Sequence, residues 1–323
     1  MRVATIGHRF PNAAIEAEVL RPSGIEVDWL GPLPRDEAVE AARDADAVLL
    51  GTGFALDALS LERLRRCRGV VRYGVGVDNV DLEAAARLGI LVCNVPDYSV
   101  EEVATHAIAL LLLFARRLDI WPAAVRAGGW GSALPAVKLR RLSHLTLGVV
   151  GAGRIGRAVI TRAVPLWGRV LAADPAVGAG ELRALGAEKA SFEVLLAESD
   201  FITLHVPSAA GTKNLIAARE LAMMKVGAVL VNCSRGDVID EAALAASILE
   251  GKIAGAGLDV FADEPPAASG LAALPQVWPT PHIAWLSDES IVELRRRAAE
   301  EAGRILRGDP VRYPVGTLPL SSE

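Results

Sequence analysis

The sequence predicts an α/β protein made of two doubly wound, parallel-sheet domains with a cleft between them. Three observations carry that reading. Short apolar runs alternate with helical stretches almost from end to end, as in a parallel sheet covered by helices on both faces. Near the middle, a run ending Leu147-Gly-Val-Val150 breaks into Gly151-x-Gly153-x-x-Gly156 and continues as a helical pattern, a strand–turn–helix unit. At 323 residues the chain is long enough for two separate cores.

Composition narrows the class further. The chain is 52% hydrophobic and 23% charged, with a formal net charge of −5 and no basic block. That leaves no electrostatic footprint for nucleic acid or an anionic membrane. The longest apolar run, Ala107 to Ala115, falls short of the ~20 residues of a membrane span. Three cysteines, Cys67, Cys93 and Cys233, are too scattered for a disulfide framework or a metal site. The opening MRVATIGHRF runs straight into a strand without a signal-peptide core, so the expected compartment is the cytoplasm.

In the first half the expected strands are Val3–Ile6, Ile25–Trp29, Ala47–Leu50, Val70–Tyr73 and Ile90–Cys93. Between them lie helices at Ala13–Leu20, Arg35–Arg43, Leu59–Arg65 and Leu82–Leu88. The loops leaving these strands, Gly7-His8-Arg9-Phe10, Gly51-Thr52-Gly53 and Gly74-Val75-Gly76-Val77-Asp78, should line a cleft, because open α/β sheets bind ligands beyond the carboxyl ends of their strands. Asn94–Ser99 reads as a crossing between domains: Pro96 disfavours helix before it, and Ser99 with Glu102 makes a capping box. The following helix, Val100 to about Leu118, is apolar on more than one face. It is buried either in a subunit interface or at the centre of one core.

The glycine turn then opens a helix from Arg154 to Trp167. Gly151 permits the sharp exit from the strand, Gly153 lets a pyrophosphate approach the backbone, and Gly156 lets the helix pack on the sheet. A strand, Arg169–Asp174, ends in a carboxylate near the spacing at which an acid meets a ribose 2′-OH. That acid repels a 2′-phosphate, so NAD is expected rather than NADP. Strands at Phe201–Val206, Ala228–Cys233, Gly255–Val260 and Val277–Pro281 follow, with helices at Leu221–Met224, Glu241–Leu249 and Ser287–Leu306 and an extended tail.

Three of these strand ends carry chemistry: Arg235 in Asn-Cys-Ser-Arg-Gly, Glu264 in Phe-Ala-Asp-Glu-Pro, and His282 in Thr-Pro-His-Ile-Ala-Trp. Singly, each has an ordinary reading as a loop charge, a turn residue or a structural histidine. Together behind a dinucleotide turn they make a site for hydride transfer. Arg presents a fork to a carboxylate or carbonyl, His exchanges the accompanying proton, and Glu orients the imidazole.

VGAGRIGRA, LHVP (Leu204–Pro207), NCSRGDVIDEAAL, AGLDVFADEP and TPHIAW resemble the serial signatures of the D-isomer-specific 2-hydroxyacid dehydrogenases. RYGVGVDNVD (Arg72–Asp81) and CNVPDYSVEEVATHAIALLL extend the resemblance over nearly the whole chain. Asn94–Tyr98 and Trp285 resemble most the branch containing C-terminal binding protein, a corepressor that keeps the dehydrogenase fold. The resemblance implies NAD-dependent reduction of a 2-oxoacid to a D-2-hydroxyacid, with His282 as general acid/base, Glu264 as its partner and Arg235 as anchor of the substrate carboxylate and carbonyl. By the same resemblance, backbone N–H groups of Val75 and Gly76 would bind the same carboxylate. Gly151, Gly153, Arg154, Ile155 and Gly156 would cover the pyrophosphate, Asp174 would take the ribose, and His205, Val206, Pro207 and Thr212 would flank the adenosine side. Thr105, Cys233, Ser234, Asp259 and His282 would complete the cofactor set that the resemblance implies. It also implies a homodimer through residues 100–118, a Rossmann NAD-binding domain over 98–285, and a flavodoxin-like substrate-binding lid from 1–97 and 286–323. Read from the residues alone, the chain had divided simply into two halves.

Glu264 argues against a formate dehydrogenase, which is expected to lack an acid there. Trp285 is expected to narrow the substrate pocket, and His8 with Arg9 either faces water or meets a second anionic group on the substrate. The alternative function is an NAD(H)-responsive binding protein with little turnover, as in the corepressor branch.

Overall fold

A computed structural model describes residues 1–131, 139–267 and 270–316. The chain divides into two units, Met1–Ser99 with Leu286–Glu323, and Val100–Trp285.

In the first unit β1 (Arg2–Ile6), β2 (Glu26–Trp29), β3 (Ala47–Leu50), β4 (Gly69–Arg72) and β5 (Leu91–Cys93) alternate with α1 (Ala14–Leu20), α2 (Arg35–Ala41), α3 (Ala58–Arg63) and α4 (Leu82–Arg87). The last helix of the chain, α12 (Asp288–Arg307), and β13 (Pro314–Val315) return to this unit. Strand order is β2-β1-β3-β4-β5-β13, parallel except for β13, which runs antiparallel along β5. This is the flavodoxin-like order with one added edge. Both faces are covered, so β3 is buried throughout: Val48 and Leu50 join a core with α2–α4, while Ala47 and Leu49 join one with α1 and α12. The tail expected to be merely extended therefore pairs in the sheet.

The helix α12 is anchored by chemistry as well as packing. A side chain on Gly69 would lie 2.7 Å from Ile305, so glycine lets α12 settle onto β4. Arg295 grips Glu16 of α1 with both arms of its fork, Nε to Oε1 at 2.8 Å and Nη2 to Oε2 at 2.6 Å. The Tyr73 hydroxyl donates to the same carboxylate at 2.8 Å, and both charged residues are nearly inaccessible to water. Asp97, in the crossing segment, accepts from Arg297 of α12 and from the Tyr313 hydroxyl at 2.8 Å.

In the second unit β6 (Thr146–Val150), β7 (Arg169–Ala173), β8 (Glu188–Lys189), β9 (Phe201–Leu204), β10 (Ala228–Asn232), β11 (Ile253–Leu258) and β12 (Val277–Pro279) form one sheet in the order β8-β7-β6-β9-β10-β11-β12. All pairings are parallel. Counted from β6 this is the doubly wound dinucleotide-fold order with an extra edge strand, and its switch point falls between β6 and β9. One face carries α5 (Val100–Ala115) and α7 (Arg154–Ala163), whose Val103, Ala107, Leu111, Phe114, Val159 and Ile160 pack on Leu147, Val149, Val229 and Val231. The other carries α9 (Phe192–Glu198), α10 (Ala218–Met223) and α11 (Glu241–Leu249). So α5 is the central helix of this core. Side chains at Gly255 and Gly257 would lie 2.7 Å from Phe114 and 3.1 Å from Leu110, and their absence brings α5 close to β11.

Short elements were missed. The helices α6 (Trp121–Arg126), α8 (Ala179–Ala184) and α9, with the two-residue β8, are too brief to show periodicity, although Ser191 caps α9 through Val194. The helices α5 and α7 end well before the expected bounds. Arg117 takes a left-handed φ of 54° beyond α5, and Pro165 stops α7. Among the described residues no helix is long and apolar enough to cross a membrane, and no cluster of potential metal ligands occurs.

Removing one partner of the Glu16–Arg295 pair strands a buried charge. Arg295→Met should cost about 3–5 kcal/mol in urea unfolding, and adding Glu16→Gln should recover part of it.

Candidate active site

At the switch point, Gly151 takes a φ of 89° and leaves β6 directly against β9: a side chain there would lie 2.4 Å from the His205 carbonyl oxygen. A side chain on Gly156 would meet the Gly151 oxygen at 2.0 Å, whereas one on Gly153 would meet nothing within 4 Å. The first and third glycines are thus required by packing, and the second faces open space at the start of α7. No side chain caps that helix, the arrangement a phosphate-binding helix start requires. Arg154 and Ile155 begin the turn. Asp174, just past β7, braces the loop: Oδ2 accepts from Ala152 N at 2.7 Å and Oδ1 from Ala176 N at 2.8 Å. A carboxylate has about four acceptor positions, which leaves capacity for ribose hydroxyls. The open face at Gly153 and the remaining acceptor capacity of Asp174 fit a dinucleotide.

His205, past β9, is half-buried, with Nε2 2.9 Å from Thr203 Oγ1 and Nδ1 shielded from water and lacking a partner among the described residues. Burial pushes its pKa down to about 4. Val206 packs beside Gly151. Thr212 Oγ1 donates to the Pro207 carbonyl at 2.5 Å and accepts from Ala209 N at 2.9 Å, closing the loop after β9. The Ser208 hydroxyl reaches Asp237 at 2.6 Å and ties this loop to the one after β10.

At the end of β10, Asn232 is fully buried and folds the chain back on itself. Its Oδ1 accepts from the N–H and hydroxyl of Ser234 at 2.9 and 2.7 Å, and its Nδ2 donates to the Arg235 carbonyl at 2.7 Å. Arg235 Nη1 donates to the Ser234 carbonyl at 2.7 Å. Cys233 turns inward to the core shared with α5, and burial raises its thiol pKa well above the ordinary value, with the Asp259 charge adding to the effect.

Past β11 and β12 the loops interlock. Asp259, 1% exposed, accepts from Thr280 Oγ1 at 2.6 Å and from the N–H groups of Ile283 and Ala284, both at 2.9 Å. His282 lies between these residues with a φ of 54°, a left-handed conformation that costs a side-chain-bearing residue roughly 1–2 kcal/mol. Its N–H donates to the Asp259 carbonyl at 2.9 Å, and its own carbonyl accepts from the Trp285 indole N–H at 2.8 Å. The imidazole Nδ1 meets Glu264 Oε2 at 2.7 Å, while Oε1 accepts from Phe261 N at 3.2 Å. Glu241 of α11 receives Ala262 N at 2.6 Å and steadies the loop that carries Glu264. Both His282 and Glu264 keep about two-fifths of their side-chain surface open to water.

Of the remaining expected residues, Thr105 is exposed on α5. Val75 and Gly76 follow β4 in the first unit, where Asn94 Nδ2 donates to the Val75 carbonyl at 2.6 Å. His8 corrects an expectation. It is buried, stacked on Phe10 at 4.8 Å and edge-on to Tyr73, and burial lowers its pKa to about 4, so at neutral pH it carries no charge for an anion. Arg9 is exposed.

The profile of the D-isomer specific 2-hydroxyacid dehydrogenase NAD binding domain matches residues 108–284. The chain belongs to this dehydrogenase family. NAD is the cofactor of the matched domain. The chain is 38% identical over 283 residues to D-3-phosphoglycerate dehydrogenase of Mycobacterium bovis, covering 88% of this dehydrogenase chain and 52% of that protein. It thus spans about half the length of that relative. It is 39% identical over 269 residues to glyoxylate reductase of Thermococcus litoralis, with 81% of each chain covered. D-lactate dehydrogenase from Aquifex aeolicus, solved with NAD and lactic acid, superposes with a TM-score of 0.83 at 30% identity, covering 95% of this chain and 96% of that one.

Asn232, Thr280 and Glu241, which brace these loops, carry no sign of that role in the sequence. Their partners are backbone groups or distant residues, and residue type alone gives no sign of them.

His8 and His205 should both weaken the fold in acid. Each has a pKa of about 4 when folded against 6.5 ordinarily, so between those values the unfolded chain binds more protons. Stability should fall as pH drops from 6.5 toward 4. Melting curves across that range should be flatter for His205→Asn than for the wild type.

Proposed function

We propose that this chain reduces a 2-oxoacid to a D-2-hydroxyacid, with NADH as the hydride donor. The observation that carries the reading is the 2.7 Å pair of Glu264 Oε2 and His282 Nδ1, held on a left-handed backbone at the strand ends of a dinucleotide fold. Glu264 accepts a hydrogen bond from the Nδ1–H of His282, which keeps the imidazole in one orientation and directs Nε2 to the reaction. His282 delivers a proton from Nε2 to the carbonyl oxygen as the carbon is reduced, and removes it in the reverse direction. Arg235 engages the substrate carboxylate and polarises the carbonyl. Backbone N–H groups of Val75 and Gly76 bind the same carboxylate. Trp285 serves as an apolar wall in addition to bracing His282. Thr105, Ser234 and Asp259 act on the nicotinamide side, with Cys233 contributing its backbone.

The unit Val100–Trp285 takes the cofactor role and the other unit the substrate-binding role. The relatives' names, glyoxylate reductase and D-lactate dehydrogenase, support a small oxoacid, as does the lack of charge on His8. A homodimer is supported by the apolar surface beyond α5, where Leu118, Val125 and Trp130 are exposed. Sedimentation should give twice the chain mass.

The test is NADH oxidation at neutral pH across glyoxylate, pyruvate, 4-methylthio-2-oxobutyrate, phenylpyruvate, oxaloacetate and phosphonopyruvate. Turnover on a monoanionic acid is expected. Loss of the general acid in His282→Ala should lower kcat by about 10²–10⁴-fold and leave NADH binding intact. Binding without turnover on any acid would instead support the corepressor-like reading. In the same assay Asp174→Ala should reduce the preference for NADH over NADPH, and equal use of both by the wild type would overturn the ribose role of Asp174.

A further inference from the structure

We propose that His106, on α5, is a positioning residue for this reaction, acting through Thr280 and Asp259 on the backbone that presents His282. The proposal rests on the dehydrogenase reading above. His106 Nε2 lies 3.0 Å from Thr280 Oγ1, which lies 2.6 Å from Asp259 Oδ1. The direction of this chain follows from proton counting. An ionised carboxylate only accepts, and a hydroxyl has a single proton. Thr280 therefore donates to Asp259 and accepts from His106, whose Nε2 must carry a proton. Asp259 passes the constraint on to Ile283 and Ala284, the two residues after His282.

The helix α5 is a firm place to anchor such a chain. Its Leu110 and Phe114 pack against the glycines of β11, so His106 refers the catalytic loop to the core of the unit. A left-handed side-chain-bearing residue persists only where its surroundings over-determine it. His106 supplies the outermost of those restraints, and Thr280 conveys it. The nitrogen that donates to Thr280 is the same one that stands 3.8 Å from Asp259 Oδ1, so His106 touches the network at a single point.

Paired substitutions test this. His106→Leu and Thr280→Val remove the hydrogen bonds, whereas His106→Gln keeps an N–H near the Nε2 position and Thr280→Ser keeps the hydroxyl. The first pair should lower kcat by roughly 10- to 10²-fold, the scale of a small misplacement of a reacting group, with NADH affinity unchanged. The second pair should restore most of it. Full activity in His106→Leu, or a loss that His106→Gln does not repair, would overturn the proposal. If His106→Leu fails to fold, the Thr280 pair decides by the same criteria. A readout without turnover comes from ¹⁵N-histidine spectra of the protein, which has five histidines. His106 should carry its proton on Nε2, and the His282 signals should move in the disrupting variants and return in the conservative ones. A His106 protonated only on Nδ1 would sink the idea. A wild type that reduces no 2-oxoacid would defeat the dehydrogenase reading alone, and the spectra would still decide the relay.

Discussion

Asp259 is a carboxylate almost wholly removed from water, and the carboxyl end of the second sheet is built around satisfying it. Burying an ionised group without partners costs several kcal/mol. Here the compensation comes from one hydroxyl and two backbone N–H groups of the segment that follows β12. That segment can supply both N–H groups only by curling tightly past His282, whose backbone is thereby pushed into the left-handed region. The strain at His282 and the burial of Asp259 are two sides of one arrangement. With Trp285 closing it from the far side, the exposed imidazole stands on a rigid base and needs only Glu264 to set its rotation.

The same economy governs how helices meet sheets. Gly156 against the Gly151 carbonyl, Gly236 against Phe261 and Gly255 against Phe114 are contacts at which even a methyl group would collide. Each brings a loop or helix into close contact with its neighbour. Gly153 differs, because no protein atom occupies the space its side chain would take. Of the three fingerprint glycines, it alone is not required by packing.

The first unit is held by a link that sequence distance hides. Glu16 and Arg295 lie at opposite ends of the chain, yet form a bidentate pair sealed from solvent. Their burial explains why α12 belongs with the N-terminal strands: its apolar stripe completes the core on one face of that sheet, and its arginine pairs with the buried carboxylate of α1. His8 sits beside this network and is neutral for the same reason, namely a lack of water. A residue suggestive of anion recognition by position is part of the packing.

Much of this protein was legible from its residues. Continuous apolar strands such as Ala47–Leu50 and Ala228–Asn232 announce burial on both faces, and the spacing from Gly151 to Asp174 marks a dinucleotide turn, because these are local patterns imposed by backbone geometry. Arg235, Glu264 and His282 stood out by residue type at strand ends. Tertiary structure decided the rest: the site of burial of α5, the antiparallel pairing of β13 along β5, the neutrality of His8, and the bracing of His282 by Asp259, Thr280, Trp285 and His106. Each of these depends on contacts between residues far apart in the chain and on exclusion of water, neither of which is encoded in a local pattern.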